Sequence, residues 1–170
     1  MKLYTGKVDI IAAEICGRLV ADELIDTPNP EEVELDIASV LKEYIRRDRK
    51  PTDAAKDICE KQGLPYSSFP KLKRQMAQKE SFIVGDEAID YVMDQMIGVL
   101  MHSQFVEEVF AEDHEIKVIM REVIRKHTEI ETELDAEARQ KIKNLKEGTN
   151  EWDIEYRKAM DQVMKRRKLN

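Results

Sequence analysis

Histidine, cysteine and carboxylate side chains are the groups of this sequence that could perform acid–base chemistry or bind a metal ion. Di-iron helical bundles place a glutamate three residues before a histidine, yet an apolar residue stands there before every histidine of this chain. These pairs are Val99 and His102, Ala111 and His114, and Ile124 and His127. The two cysteines lack CxxC spacing, and no phosphate-binding loop, dinucleotide fingerprint or nucleophile elbow occurs. We therefore predict no catalytic residues, no cofactor and no metal site, and hence a protein that is not an enzyme.

The densest group of carboxylates lies between His102 and Glu115, beside aromatic residues. We predict that this group is an acidic docking face, which attracts an unidentified basic protein partner or a divalent cation. The residues of this acidic face are Glu107, Glu108, Glu112, Asp113 and Glu115. A structural interpretation stays open, in which apolar neighbours fill the core while the carboxylates face water and cap the next helix. Those apolar neighbours are Phe105, Val106, Val109 and Phe110.

A short basic cluster suggests a second class of function. Lys71, Lys73 and Arg74 follow a helical segment that ends at Gly63, and the two segments together can be interpreted as a DNA-binding helix-turn-helix. The net charge of −7, however, is unfavourable for binding the phosphate backbone of a nucleic acid. Nucleic-acid binding is therefore the alternative to a protein-interaction function. An enzyme whose active-site residues are scattered along the sequence is the third hypothesis.

Apolar residues recur at three- and four-residue spacing along most of the chain, and the alternating patterns of strands are scarce. Charged residues make up 37% of the chain and hydrophobic residues 42%, which suits amphipathic helices with solvated outer faces. The sequence therefore predicts an elongated, all-α, multi-helix protein. We expect about eight helices, near 7–25, 30–48, 52–63, 70–79, 87–103, 113–127, 132–146 and from 149 or 150 onward.

The region from Leu64 to Pro70 contains two prolines and two serines, which indicates a hinge or lobe boundary. We divide the chain into an N-terminal helical lobe (1–63), a basic helix with its connector (64–86) and a C-terminal helical lobe (87–170).

The two halves of the sequence resemble each other. At an offset of 81 residues, Asp9, Gly17 and Leu19 align with Asp90, Gly98 and Leu100; at an offset of 79, Ile37, Glu43, Ile45 and Arg46 align with Ile116, Glu122, Ile124 and Arg125. An internal duplication that produced two related lobes explains these matches. The other interpretation is that any two amphipathic helices align at some offset, because both repeat apolar positions every three or four residues.

An apolar stripe marks the last predicted helix. It consists of Trp152, Tyr156, Met160 and Val163. The core of a small helical lobe does not cover a stripe of this size, and uncovered apolar stripes are typical of interfaces. We therefore predict self-association through these residues, as a homodimer.

Cys16 and Cys59 lie far apart among apolar helical neighbours, which is typical of small buried side chains in a reducing compartment. No basic segment leads into an apolar stretch at the N-terminus, and no run of about 18 apolar residues occurs. We expect a cytoplasmic protein that has no membrane partner.

Several long motifs of the second half resemble a known family. They are Met101-His102-Ser103, Val106 through His114, Lys141 through Leu145, Glu147-Gly148-Thr149, Trp152 through Tyr156 and Lys165 through Lys168. These motifs resemble the bacterial family called domain of unknown function 507, and the resemblance extends over nearly the whole chain. It implies a helical bacterial protein with no assigned activity, cofactor or catalytic residues.

Overall fold

The computed structural model describes residues 3–85, 87–128, 130–145 and 149–167. In this part of the chain there are seven α-helices, two short 3-10 helices and one two-stranded antiparallel ribbon. The α-helices are α1 (Val8–Ala21), α2 (Pro30–Gln62), α3 (Phe69–Lys79), α4 (Glu87–His102), α5 (Asp113–Thr128), α6 (Ile130–Lys141) and α7 (Asn150–Arg166). The 3-10 helices span Thr5–Lys7 and Tyr66–Ser68, and the strands are β1 (Ile25–Asp26) and β2 (Glu108–Val109). The prediction of an all-α fold is confirmed.

Helix α2 is continuous, whereas the sequence predicted two helices separated at Pro51. A proline inside a helix lacks the N–H donor, and its ring prevents a hydrogen bond to the carbonyl four residues earlier. Pro51 is buried, and so are Ala55 and Cys59, one and two turns further along. The apolar face of the helix therefore continues through the proline, and its burial outweighs the missing hydrogen bond. The two helices predicted on either side of Pro51 are one.

The chain groups into two compact units, each of which is built from two separated stretches. The first unit comprises Met1–Ile45 and Gly85–Thr128, and the second comprises Arg46–Val84 and Glu129–Asn170. This grouping differs from the division into 1–63, 64–86 and 87–170 that the sequence suggested. The physical reason is that α1 packs against α5, a helix of the other half of the sequence, and both lie in the first unit.

Corresponding segments of the two halves meet in the first unit. Strand β1 lies between α1 and α2, strand β2 lies between α4 and α5, and the two strands pair with each other. Asp9 forms an ion pair with Lys42 at 2.8 Å, and the corresponding Asp90 forms one with the corresponding Arg121. Buried residues also correspond: Ile11 and Val92, Ile15 and Met96, Leu19 and Leu100, Ile37 and Ile116, and Leu41 and Met120.

These matches favour an internal duplication, because a shared apolar period alone does not reproduce an ion pair at the same place in both halves. The arrangement of the halves nevertheless differs from the expected one. Helices α1, α4 and α5 and the part of α2 up to Ile45 belong to the first unit, so the two related segments form one compact unit and not two separate lobes.

Helices α1 and α2 end in the same type of cap. In both, an N–H beyond the helix donates to a carbonyl five residues earlier, as in the Schellman motif. The bonds run from the Leu24 nitrogen to the Leu19 oxygen and from the Leu64 nitrogen to the Cys59 oxygen, both at 2.9 Å. The motif requires a residue of positive φ, which is Glu23 (φ 56°) after α1 and Gly63 (φ 60°) after α2.

We expect Glu23→Gly to raise the free energy of unfolding by about 0.5–1 kcal/mol, because the left-handed conformation costs a non-glycine residue about 1–2 kcal/mol. The greater freedom of glycine in the unfolded chain offsets part of that gain. Gly63→Ala is the matched control: no atom lies within 4 Å of the added Cβ, so it should destabilise by about 1 kcal/mol through φ alone. Urea unfolding measures both variants, and a destabilised Glu23→Gly protein would contradict the expectation.

Candidate functional site

The segment that carries the acidic face is held in place by backbone hydrogen bonds. The Glu107 N–H donates to the Asp26 carbonyl at 2.9 Å, and the Phe110 N–H donates to the Leu24 carbonyl at 2.9 Å. The Thr27 hydroxyl donates to the Phe105 carbonyl at 2.5 Å. The segment is therefore paired along its length with the chain that links α1 to α2.

All five residues of the acidic face are exposed to solvent. Glu115 accepts a hydrogen bond from the Glu112 N–H at 3.0 Å, so this carboxylate caps α5 as the structural interpretation predicted. Glu108 has no such role: it lies opposite Asp26 in the ribbon, and like charges that face each other across strands are destabilising. Within the described ranges, neither Glu107, Glu108 nor Asp26 has an ion-pair partner. Part of the acidic face is therefore not explained by capping.

Phe110 corrects the structural interpretation of this segment. Its side chain is 59% exposed, whereas the prediction placed it in the core. Val109 and Phe105 are half-buried, so neither is the fully buried anchor that was expected. Successive side chains of an extended strand point to opposite sides; because Val109 turns toward the protein, Phe110 is left on the solvent side. An exposed aromatic ring thus lies among the carboxylates of the acidic face.

An open pocket of about 290 Å³ lies next to this segment in the first unit. Its lining residues are Asp36, Val99, His102, Ser103, Gln104 and Phe105. The Ser103 hydroxyl donates to Asp36 Oδ2 at 2.5 Å and accepts from the Phe105 N–H at 3.2 Å. Asp36 and Ser103 are 67 positions apart, so no local sequence pattern revealed their contact.

The pocket brings a serine, a histidine and an aspartate together without the connectivity of a catalytic triad. In a triad the serine hydroxyl bonds to the histidine ring and the histidine bonds to the carboxylate. Here the hydroxyl of Ser103 bonds directly to Asp36, and His102 Nδ1 bonds to the Gly98 carbonyl at 2.7 Å. Among the described residues, no group of three His, Cys, Asp or Glu side chains could hold a metal ion.

The basic helix predicted for nucleic-acid binding is α3, and its cations are partly used inside the protein. Lys73 Nζ forms a 2.7 Å ion pair with Asp48, and both side chains are about three-quarters buried, with exposed fractions of 21% and 26%. Lys71 and Arg74 are exposed. The structure thus leaves two of the three predicted phosphate-binding side chains on the surface.

The apolar stripe of α7 is part of the core of the second unit, which corrects its assignment as an exposed self-association surface. Trp152 and Tyr156 are 6% and 7% exposed, and their rings stack with centroids 4.8 Å apart. Val163 is fully buried, and Met160 packs against the same cluster. Helix α6 covers the stripe through Ala138, together with Ile142 directly after the helix. Homodimer formation stays a prediction, but this stripe does not supply its interface.

Two titratable groups of α1 have shifted pKa values. Hydrogen bonds from Lys126 and His127, both at 2.8 Å, lower the pKa of Glu14, so this glutamate is ionised at neutral pH. Burial raises the pKa of the Cys16 thiol to about 11, which leaves little reactive thiolate. Cys16 and Cys59 are both buried and free, as predicted. Neither Glu14 nor Cys16 is tuned toward acid–base or nucleophilic chemistry near pH 7.

These features define a class of protein: an all-α protein of paired amphipathic helices, with a charged ribbon and a small open pocket. None of the helices in the described ranges has the length and apolarity needed to cross a bilayer. A family model described as "Protein of unknown function (DUF507)" matches residues 1–169, so the chain belongs to that family, as its motifs suggested. A comparison with curated proteins gave no match.

Proposed function

We propose that this protein is a non-enzymatic interaction protein, which binds a basic macromolecular partner through the acidic face. The observation that carries the proposal is Glu108, which lies opposite Asp26 on the ribbon without any cation from the described chain. Like-charged residues in this arrangement cost roughly 0.2–1 kcal/mol. A basic partner would convert that repulsion into attraction, and it would also accelerate diffusional encounter.

Phe110 supports the same function. A side chain that is 59% exposed beside several carboxylates offers a partner an apolar contact within a charged surface. Aromatic residues are frequent anchors of protein interfaces, and polar rims around them set orientation and specificity. The hydrogen bond from the Phe110 N–H to the Leu24 carbonyl fixes the backbone that carries this ring before a partner binds.

Nucleic-acid binding by α3 is the weaker candidate. Lys71 and Arg74 are the exposed members of its basic cluster, and neutralising about two phosphates gives a salt dependence with a slope of only about two. Lys73 would have to leave Asp48 in order to take part. The net charge of −7 further opposes approach to a nucleic acid.

We expect neutralisation of four carboxylates on the acidic face to leave the protein folded but to abolish capture of its basic partner. The variant combines Glu107→Gln, Glu108→Gln, Glu112→Gln and Asp113→Asn, and it keeps the capping residue Glu115. Its free energy of unfolding should change by less than about 4 kcal/mol, because four exposed charges contribute about 0.3–1 kcal/mol each. The readout is affinity capture from the native cell lysate with mass spectrometry, followed by association kinetics with the purified partner at low salt.

A variant with the same change in net charge is the matched control. It combines Asp53→Asn, Asp57→Asn, Glu151→Gln and Asp161→Asn, all at exposed positions. The control should keep the partner, whereas the acidic-face variant should associate roughly tenfold more slowly or not at all. Equal capture by the native protein and the acidic-face variant would show that the acidic face is structural.

A further inference from the structure

The pocket beside the acidic face is rich in hydrogen-bond acceptors. It lies where α4 ends at His102, and the last carbonyls of a helix have no N–H partner within the helix. The C-terminal end of a helix also carries the negative pole of its dipole. A donor with positive charge is therefore favoured at this place.

His102 contributes a further acceptor. A carbonyl oxygen can only accept a hydrogen bond, so the 2.7 Å contact with the Gly98 carbonyl places the proton of a neutral imidazole on Nδ1. Nε2 then carries the lone pair, and no other residue in the described chain contacts it by a hydrogen bond. The second ring nitrogen is thus available to a ligand that donates.

Asp36 contributes a negative charge that no cation of the described ranges neutralises. Its Oδ2 accepts from Ser103, and none of the lysines, arginines and histidines of the described ranges pairs with this carboxylate. The residue is half-buried at the edge of the pocket, where a charge without a counter-ion is less favourable than in bulk water. A cation in the pocket would supply the missing counter-charge.

The remaining walls suit the stem of a long cationic side chain. Val99 and Phe105 provide apolar surface, against which the methylene groups of lysine or arginine can pack while the charged end reaches the acceptors. A volume of about 290 Å³ is at the lower limit for drug-sized ligands, which favours a single side chain as the occupant.

We propose that this pocket binds one arginine or lysine side chain of the basic partner, with Asp36 as its counter-ion. The inference rests on the proposed function, because Phe105 of the pocket precedes the acidic face by two residues and one basic segment can reach both. The acidic face then attracts the partner in general, and the pocket selects the position of one side chain.

The test uses hexa-arginine and hexa-lysine peptides labelled for fluorescence anisotropy, with the full-length protein at low salt. Asp36→Asn should weaken binding of at least one peptide about tenfold, since it removes a charge-assisted hydrogen bond of about 1.4 kcal/mol. Asp57→Asn is the matched control: it removes the same charge from an exposed position of the second unit that is not part of the pocket, so affinity should stay within about twofold. Circular dichroism confirms that both variants are folded.

Amide chemical shifts of the native protein give a readout that does not depend on any variant. Adding the peptide should shift the amide signals of Ser103, Gln104 and Phe105. Unchanged amide signals would overturn the proposal that the pocket binds a basic side chain, and so would an Asp36→Asn protein that binds the peptides like the native protein. Neither result would decide the proposed function, which the lysate capture tests separately. Free arginine amide that binds as tightly as hexa-arginine would also overturn it, because the occupant would then be a small free cation. A native protein that binds neither peptide would overturn the inference as well.

Discussion

Replacing Trp152 with alanine should lower the free energy of unfolding by about 3–5 kcal/mol, the usual cost of truncating a large buried aromatic residue. Trp152 is 6% exposed and stacks on Tyr156, and both pack against Ala138 of α6 and Ile142, which follows that helix. The truncation removes this stacking and leaves a cavity between α6 and α7. Because native proteins are stable by only about 5–15 kcal/mol, a loss of this size should be obvious in thermal or urea unfolding.

Protein concentration distinguishes the core from a dimer interface in this experiment. If Trp152 stabilises the monomer from within, the loss should be the same at all protein concentrations, since no association step is involved. Phe110→Ala is the matched aromatic control, and it should change stability by less than about 0.5 kcal/mol because Phe110 is 59% exposed. If the loss of stability in Trp152→Ala disappears on dilution, the stripe forms a self-association interface, as the sequence predicts.

Local signals predicted the beginnings of helices well. The Asn29-Pro30-Glu31 sequence predicted a helix from Pro30, which is where α2 begins. The sequence predicted that Thr149 or Asn150 starts the last helix; α7 begins at Asn150, and the side chain of Thr149 caps it by accepting a hydrogen bond from the Trp152 N–H at 3.2 Å. Such caps are formed by residues within one turn of each other, so the sequence contains all the information that determines them.

Contacts between distant segments explain the features that the sequence did not predict. Pro51 normally ends a helix, but the burial of the surrounding face keeps α2 continuous. The periodicity of α7 correctly identified an apolar stripe at Trp152, although it could not show that α6 covers that stripe. Exposure at Phe110 depends on the pairing of β2 with β1, which lies in the other half of the chain.

The candidate site shows the same division. The carboxylates of the acidic face are adjacent in the sequence, so their composition alone identified them. Asp26 and Asp36 were missed because each meets the segment only through the fold: Asp26 pairs with Glu108 in the ribbon, and Asp36 accepts from Ser103. No single-sequence pattern marks such a contact, although the duplication offers an indirect signal, since it predicts that equivalent segments of the two halves are related.

Leu19→Ala and Leu100→Ala should each lower the free energy of unfolding by about 2–5 kcal/mol, the range for leucine truncation in a packed core. The two leucines are 0% and 1% exposed and correspond at the offset of 81 residues, on α1 and α4 of the first unit. Because both belong to one compact unit, each substitution should reduce the hydrogen-exchange protection of α1, α4 and α5 together. Mass spectrometry of exchanged peptides, with α7 as the internal reference, measures this pattern. Two sequential lobes would respond differently, because Leu19→Ala would then reduce the exchange protection of residues 1–63 only and Leu100→Ala that of residues 87–170 only. That outcome would contradict the assignment of both leucines to one compact unit.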